Sequence, residues 1–207
     1  MKLATFVIVA ITGLARIGDT QATPEKAGAA PGTTPAEQSV ARKIDLAHST
    51  LTVRVYKSGL FSAFAHDHEI KAPIIHGQFT ETRGPVEFLV DARQMKVMDP
   101  EVSAKDRAEI QETMLGPKVL DSQKFPEIHF RSSSVKNTGA EQWSVIGDLT
   151  IRGQTKTVHV DVQRKNGRYL GTGKLKQTDF GITPISIAGG AIKVKDEIKV
   201  EFDIAGE

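Results

Sequence analysis

The sequence predicts an all-β fold of about eight antiparallel strands with one inserted helix, arranged as a barrel or a sandwich. From residue 42 to the end, apolar and polar residues alternate with period two, which is typical of strands with one buried face. Turn signals separate these stretches at short, regular intervals. A stretch with helical spacing, residues 103–115, interrupts them. Closing such a sheet into a barrel would leave no exposed edge.

The clearest pair of strands is residues 147–162, GDLTIRGQTKTVHVDV. Leu149 and Ile151 share one face before the turn, and alternate valines from Val158 share one face after it. Between them, Gly153 suits a tight hairpin in which one residue takes a positive φ. Apolar side chains on one face and polar ones on the other predict an antiparallel sheet with one dry side and one wet side.

The other elements follow from the same rules. Ser103 is a suitable N-cap for the helix, and Gly116 ends it. Asn166-Gly167 is a strong hairpin signal, and Asp179 is expected to fix a corner by accepting backbone N–H bonds. The predicted strands are residues 42–46, 51–56, 86–91, 127–135, 143–152, 156–164, 168–177, 192–195 and 198–204.

Composition excludes several classes of function. The chain is 39% hydrophobic and 25% charged, with a formal net charge of +2. Its basic residues are dispersed, with no long Lys/Arg run and no interleaved aromatic stripe, so we expect no nucleic-acid partner. Cysteine is absent from the sequence, which excludes disulfides, thiolate catalysis and cysteine-based zinc sites.

The N-terminal residues differ from the rest. Residues 1–22 combine an early lysine, an apolar run too short to span a membrane and small residues before a cleavage site at 20–22 or 13–15, which predicts a signal peptide. A buried first strand or helix, or an uncleaved anchor, is the alternative. Residues 23–41 are rich in Ala, Pro and Thr and predict a flexible linker, leaving 42–207 as the domain. The expected location is periplasmic or secreted, with no membrane span after cleavage.

Three stretches resemble one known family. They are GDLTIRGQTKTV at 147–158, FPEIHFRSSSV at 125–135 and IDLAHS at 44–49, in matching order and spacing. The chain resembles the YceI-like family of secreted bacterial lipid-binding proteins over roughly residues 42–205. The resemblance implies an extended, eight-stranded, lipocalin-like barrel that holds a long isoprenoid or fatty-acyl chain as its partner.

Large apolar residues supply candidates for the wall of such a tunnel. Any barrel needs such residues to fill its core, and only the resemblance favours a ligand. Candidates on predicted inward faces are Phe79, Phe88, Phe130, Trp143, Leu149 and Phe202. Candidates from loops and the helix, where a tunnel mouth would lie, are Phe61, Phe64, Met95, Met114 and Phe125.

The segment His66-Asp67-His68 departs from the family pattern and has three interpretations. If it is a strand, His66 and His68 share a face and could chelate zinc or copper, completed by one of His48, His76 and His129. The two histidines could instead hydrogen-bond a ligand head group at the tunnel mouth, or lie in a solvated loop.

The sequence favours binding over catalysis. It lacks G-x-S-x-G, its carboxylates are scattered, and GRYLGTGK at 167–174 has its glycines misplaced for a phosphate loop. We therefore expect a carrier without a cofactor. The sequence leaves homodimerisation open, and metal binding on the same barrel is the alternative function.

Overall fold

The computed structural model describes residues 40–59, 67–81 and 84–207. The predicted signal peptide, almost all of the predicted linker, and Phe61, Phe64 and His66 lie outside these ranges. Within them, strands dominate, and one α-helix, α1, spans Ala104–Leu115. The strands are β1 Ala41–Lys43, β2 Thr50–Ser58, β3 His68–Lys71, β4 Ile74–Thr80, β5 Val86–Asp91, β6 Lys96–Val97, β7 Glu127–Gly139, β8 Gln142–Ile151, β9 Gln154–Lys165, β10 Arg168–Lys176, β11 Ser186–Ile187 and β12 Ile192–Ile204.

All these strands belong to one antiparallel sheet that curls into a barrel. Its order is β1-β4-β5-β7-β8-β9-β10-β12-β2-β3-β6, and β11 adds to β12. β1 and β2 act as one strand broken by a turn. β1 pairs with β4, and Ile44, which follows β1, bridges Gly206 just beyond β12. β2 then pairs with β12 and β3. β3 and β4 are likewise separated by only two residues. The predicted antiparallel barrel with one helix is confirmed, with more segments than predicted because turns divide the long strands.

Two hairpins have the geometry that the sequence favours. Arg152 and Gly153 have φ of 52° and 72°, and Asn166 and Gly167 have φ of 52° and 76°. Positive φ at both central residues is the type I′ turn, whose twist matches that of the flanking strands. These turns set the register of β8 on β9 and of β9 on β10.

The helix is capped as its sequence predicts, and a glutamine anchors it to the sheet. The Ser103 Oγ accepts the Asp106 N–H at 3.1 Å, and α1 ends at Gly116. Gln111 joins the helix to the sheet, since its Oε1 accepts the Val97 N–H at 2.8 Å and its Nε2 donates to the Met95 carbonyl at 2.7 Å. The helix thereby covers one end of the barrel.

The corner after β10 is held differently from the prediction. The carboxylate of Asp196, not that of Asp179, accepts bonds there: one from the Thr178 N–H at 2.9 Å and one from the Thr178 hydroxyl at 2.7 Å. The side chain of Asp179 is exposed. Asp196 lies in β12, so a contact between strands replaces the expected local turn.

Glycines on the inner wall make room for aromatic rings. A Cβ at Gly171 would lie 2.1 Å from the Phe202 Cζ, and one at Gly147 would lie 2.6 Å from the Phe130 Cζ. Because these positions lack side chains, the rings lie against the wall instead of crossing the interior.

We expect Gly171→Ala to lower the free energy of unfolding by about 1–3 kcal/mol, since the new methyl group must displace the Phe202 ring and the Asp161 carbonyl, which a Cβ would meet at 2.1 Å and 2.7 Å. Gly173→Ala is the matched control on the same strand and face, where a Cβ would meet its nearest atom at 3.4 Å. Urea unfolding of both variants checks this. Equal stability of the two variants would contradict the proposed ring placement.

A second prediction concerns Asp91, at the turn that follows β5. Hydrogen bonds from Arg93 and Gln94 hold the pKa of the buried Asp91 carboxyl well below its usual value. A lowered folded-state pKa stabilises the fold above the unfolded-state pKa of about 3.9, and this stabilisation is lost as the pH falls further. Wild type should therefore be more stable than Asp91→Asn at pH 7, and the difference should shrink below about pH 3.9.

Urea unfolding at pH 7, 5 and 3 measures this difference. Asp179→Asn is the control, because its exposed carboxylate accepts no hydrogen bond from the described residues. A difference between wild type and Asp91→Asn that stays constant across this pH range would show that the charge of Asp91 is not responsible.

Candidate ligand-binding cavity

The barrel encloses an apolar cavity of about 240 Å³. An engineered apolar cavity of roughly 150 Å³ is large enough to hold benzene, whereas well-packed interiors leave few voids larger than a water molecule. The polar or charged side chains among the described lining residues are Thr80, Glu81, Tyr169 and Gln177. The interior therefore suits an apolar ligand with few polar groups.

The cavity wall is partly exposed along β9 and β10. Inward side chains of β8 are mostly buried, whereas those of β9 and β10 all remain partly exposed although they face the interior. Buried inward residues of β8 are Val145, Leu149 and Ile151; their partly exposed counterparts are Val158, Val160, Val162, Tyr169 and Leu175. Such exposure is expected where none of the described side chains covers the wall.

One end of the cavity is closed beneath the helix. Met95, Met114, Leu120 and Phe180 are buried there and line the cavity. Gln177 lines the same end and is 8% exposed, and its Nε2 donates to the Lys195 carbonyl at 2.8 Å. At this end the wall therefore consists of apolar side chains together with the side-chain amide of Gln177.

The opposite end carries aromatic rings. The Phe79 and Tyr169 rings meet edge to face with centroids 4.9 Å apart, and the Trp143 ring lies 5.9 Å from that of Tyr169. Burial raises the pKa of the Tyr169 hydroxyl, so Tyr169 remains a neutral donor and acceptor at ordinary pH.

The charged pair at this end joins distant parts of the chain. The Arg42 Nη1 donates to the Glu81 Oε1, while its other nitrogens donate to the carbonyls of Gly206 at 2.8 Å and Glu207 at 2.9 Å. Glu81 is the charged member of the described lining residues. Arg42 thus orients a carboxylate at the rim and ties the first strand to the last residues.

Eight of the candidates from the sequence line the cavity. Met95 and Met114 do so at the closed helical end, buried, rather than at an open mouth. The eight are Phe79, Phe88, Met95, Met114, Phe130, Trp143, Leu149 and Phe202.

Phe125 is absent from the cavity wall among the described residues. Its ring packs beside the β8–β9 hairpin, where a Cβ at Gly153 would lie 3.0 Å from the Phe125 Cε1, and the Lys124 Nζ lies 5.2 Å from the ring centroid. Phe125 therefore supports the hairpin from outside.

His68 is held by a buried carboxylate and does not line the cavity. Its Nδ1 lies 2.6 Å from the Asp99 Oδ2, and the Asp99 Oδ1 accepts the Glu69 N–H at 2.8 Å. His48 pairs with Asp45 at 2.7 Å. His76 and His129 are exposed on the outer wall. Across the described ranges no group of three or more His, Asp or Glu side chains is arranged to hold a metal ion.

Sequence reasoning missed the polar lining residues. Tyr169 and Gln177 fall on the inner face when period two is counted outwards from Leu175, so the alternation of β10 contained the signal. Arg42 and Glu81 are 39 residues apart in the chain, and nothing local in the sequence links them.

Within the ranges that the structure describes, no helix has the length and apolar character needed to cross a membrane.

The fold and cavity define a small antiparallel β-barrel with an apolar interior. The chain belongs to the YceI-like domain family, whose model matches residues 43–206. This finding confirms the family expected from the three sequence stretches.

Curated relatives and a solved structure agree with this assignment. A UPF0312 protein of Pseudomonas savastanoi pv. phaseolicola is 32% identical over 125 residues, covering 52% of this chain and 64% of that relative's length. UPF0312 protein VPA0850 of Vibrio parahaemolyticus is 25% identical over 141 residues, covering 61% and 73%. The crystal structure of BcnA from Burkholderia cenocepacia covers 78% of this chain and 98% of its own, with 20% identity and a TM-score of 0.58. The likeness to BcnA concerns the fold.

Proposed function

We propose that this protein binds a long apolar molecule inside the barrel and stores or carries it outside the cytoplasm. The ligand class is an isoprenoid quinone, a polyprenyl derivative or a fatty-acyl amide. The observation that carries this proposal is the apolar cavity, whose β9 and β10 wall is left partly exposed by the side chains that the structure describes.

The shape of the cavity supports a slender ligand. Along β10 it is lined from Tyr169 to Leu175, about 20 Å of strand at ~3.3 Å per residue. A polyprenyl or acyl tail buries on the order of several hundred Å² of apolar surface. At about 25 cal/mol per Å² the gross gain approaches roughly ten kcal/mol before ordering costs.

We propose binding without catalysis or a cofactor, and the arrangement of the polar side chains supports this part of the proposal. The most triad-like group in the described residues is Ser144, His159 and Asp161, on the outer wall. The His159 Nε2 lies 2.7 Å from the Ser144 Oγ and 3.6 Å from the Asp161 Oδ1. A Ser-His-Asp triad uses the two ring nitrogens separately, so this group lacks the geometry of a nucleophile with an oriented base.

The proposed compartment rests on the sequence. The predicted signal peptide at 1–22 and linker at 23–41 support a periplasmic or secreted location. One chain supplies the whole described wall of the cavity, so the proposal needs no second copy.

Native and denaturing mass spectrometry of the full chain, purified from a bacterial periplasm, tests the proposal. We expect a mass lost on denaturation that partitions into organic solvent, as a lipid does. A clean apo mass, with no uptake of added prenyl quinones or fatty amides, would contradict the proposed carriage.

A cavity-filling variant tests the location of the ligand. Val200 lines the cavity from β12 and is partly exposed inside it, so Val200→Phe should occupy ligand space and lower lipid retention at least tenfold. The control is Thr172→Phe on the outer face of β10, where the side chain is exposed. Circular dichroism verifies that both variants fold, and equal lipid retention would place the ligand elsewhere.

A further inference from the structure

We propose that Gln177 is the head-group anchor of the cavity and selects ligands that carry a neutral hydrogen-bond donor, such as an alcohol or a primary amide. This inference deepens the proposed function and rests on it.

In the side-chain amide of Gln177, the NH₂ group is hydrogen-bonded within the protein and the carbonyl oxygen is available to a ligand. Its Nε2 donates to the Lys195 carbonyl, which fixes the orientation of the amide because a carbonyl oxygen can only accept. Its Oε1 accepts no hydrogen bond from the described residues. Among these residues, every fully buried side-chain oxygen or nitrogen has a hydrogen-bond partner. Because the Gln177 Oε1 has none among them, it must be at least partly accessible. Because Gln177 lines the cavity, we place the oxygen at its surface.

The backbone around this acceptor is fixed. The Gln177 carbonyl accepts the Ile182 N–H at 3.1 Å, and Asp196 holds the next residue, Thr178, through two hydrogen bonds. A preorganised acceptor loses little entropy when a ligand binds, so more of the interaction remains as affinity.

The surroundings decide which head group fits. Leu175, Phe180, Ile182 and Ile198 line the cavity near this end and offer no polar side chain. The Lys195 Nζ is occupied elsewhere, 5.9 Å from the Tyr56 ring centroid. The described lining residues include no Lys, Arg or His, so among them a carboxylate or phosphate would meet an acceptor without a countercharge, whereas an O–H or N–H donor would satisfy the oxygen.

The carboxylate of Glu81 at the other end also offers hydrogen-bond acceptors, but it is more exposed to solvent than Gln177 and is already paired. Its side chain is 41% exposed and already paired with Arg42, so water competes there for any donor. Gln177 is 8% exposed, and a hydrogen bond in such a site discriminates more strongly between ligands.

A ligand panel on the wild-type full chain tests the inference without any variant. Hexadecanol, hexadecanamide, methyl hexadecanoate and hexadecanoate compete with the hydrophobic dye N-phenyl-1-naphthylamine. We expect the alcohol and the amide to bind about three- to tenfold more tightly than the ester, and the carboxylate to bind most weakly. Failure of all four to displace bound dye would refute lipid carriage itself. Equal displacement by all four, or preference for the carboxylate, would leave carriage standing and refute the head-group role.

Two variants then locate the preference. Gln177→Met removes the amide at nearly constant volume and should abolish the preference while leaving affinity for the ester within about twofold. Gln163→Met, on the exposed face of β9, is the matched control and should retain the preference. A preference that survives in Gln177→Met but disappears in Glu81→Gln would place the head group at the opposite end and overturn the assignment.

Discussion

Packing of aromatic rings over glycines determines whether this barrel is solid or hollow. An eight-stranded barrel is just wide enough for its own side chains to fill it. Here the Phe202 ring occupies the space that a side chain at Gly171 would take, and the Phe130 ring does so at Gly147. Each ring keeps its contacts with the wall while projecting little into the interior. The cavity therefore reflects where glycines stand on the inner face, and it would narrow if any of them carried a methyl group.

Hydrogen bonds between distant segments then give the cavity two unlike ends. At the helical end, Gln111 ties α1 to the sheet, and Gln177 presents an acceptor. At the other end, Arg42 bonds Glu81 and the last two carbonyls of the chain beside the aromatic cluster. The helical end is apolar apart from Gln177, and the other end is charged and partly exposed. The two ends therefore favour one orientation of a ligand that has one polar head and one apolar tail.

Local rules were enough to predict the fold but not the polar part of the site. Period-two alternation, the Asn166-Gly167 turn and the Ser103 cap report on neighbouring residues, so the strands, hairpins and helix were predictable. The inward aromatic residues followed from the same alternation, although only the family resemblance favoured a ligand over plain packing. The Arg42–Glu81 and His68–Asp99 pairs join residues 39 and 31 positions apart, which depends on how the sheet curls. Phe125 was misplaced at the mouth because an aromatic residue beside a hairpin turn can pack on either side of the wall.

The seam of the barrel has a consequence for how the chain folds. The first strand meets the residues after β12 through Arg42 and the Ile44–Gly206 bridge, contacts that span up to 165 positions of sequence. Contacts of such separation carry the largest loop-closure cost and form late. A chain emerging from its N-terminus must therefore keep this strand unpaired on one side until the final residues arrive. Until then this seam is not formed, so the hydrogen bonds that join the first strand to the residues after β12 are the last to complete the barrel.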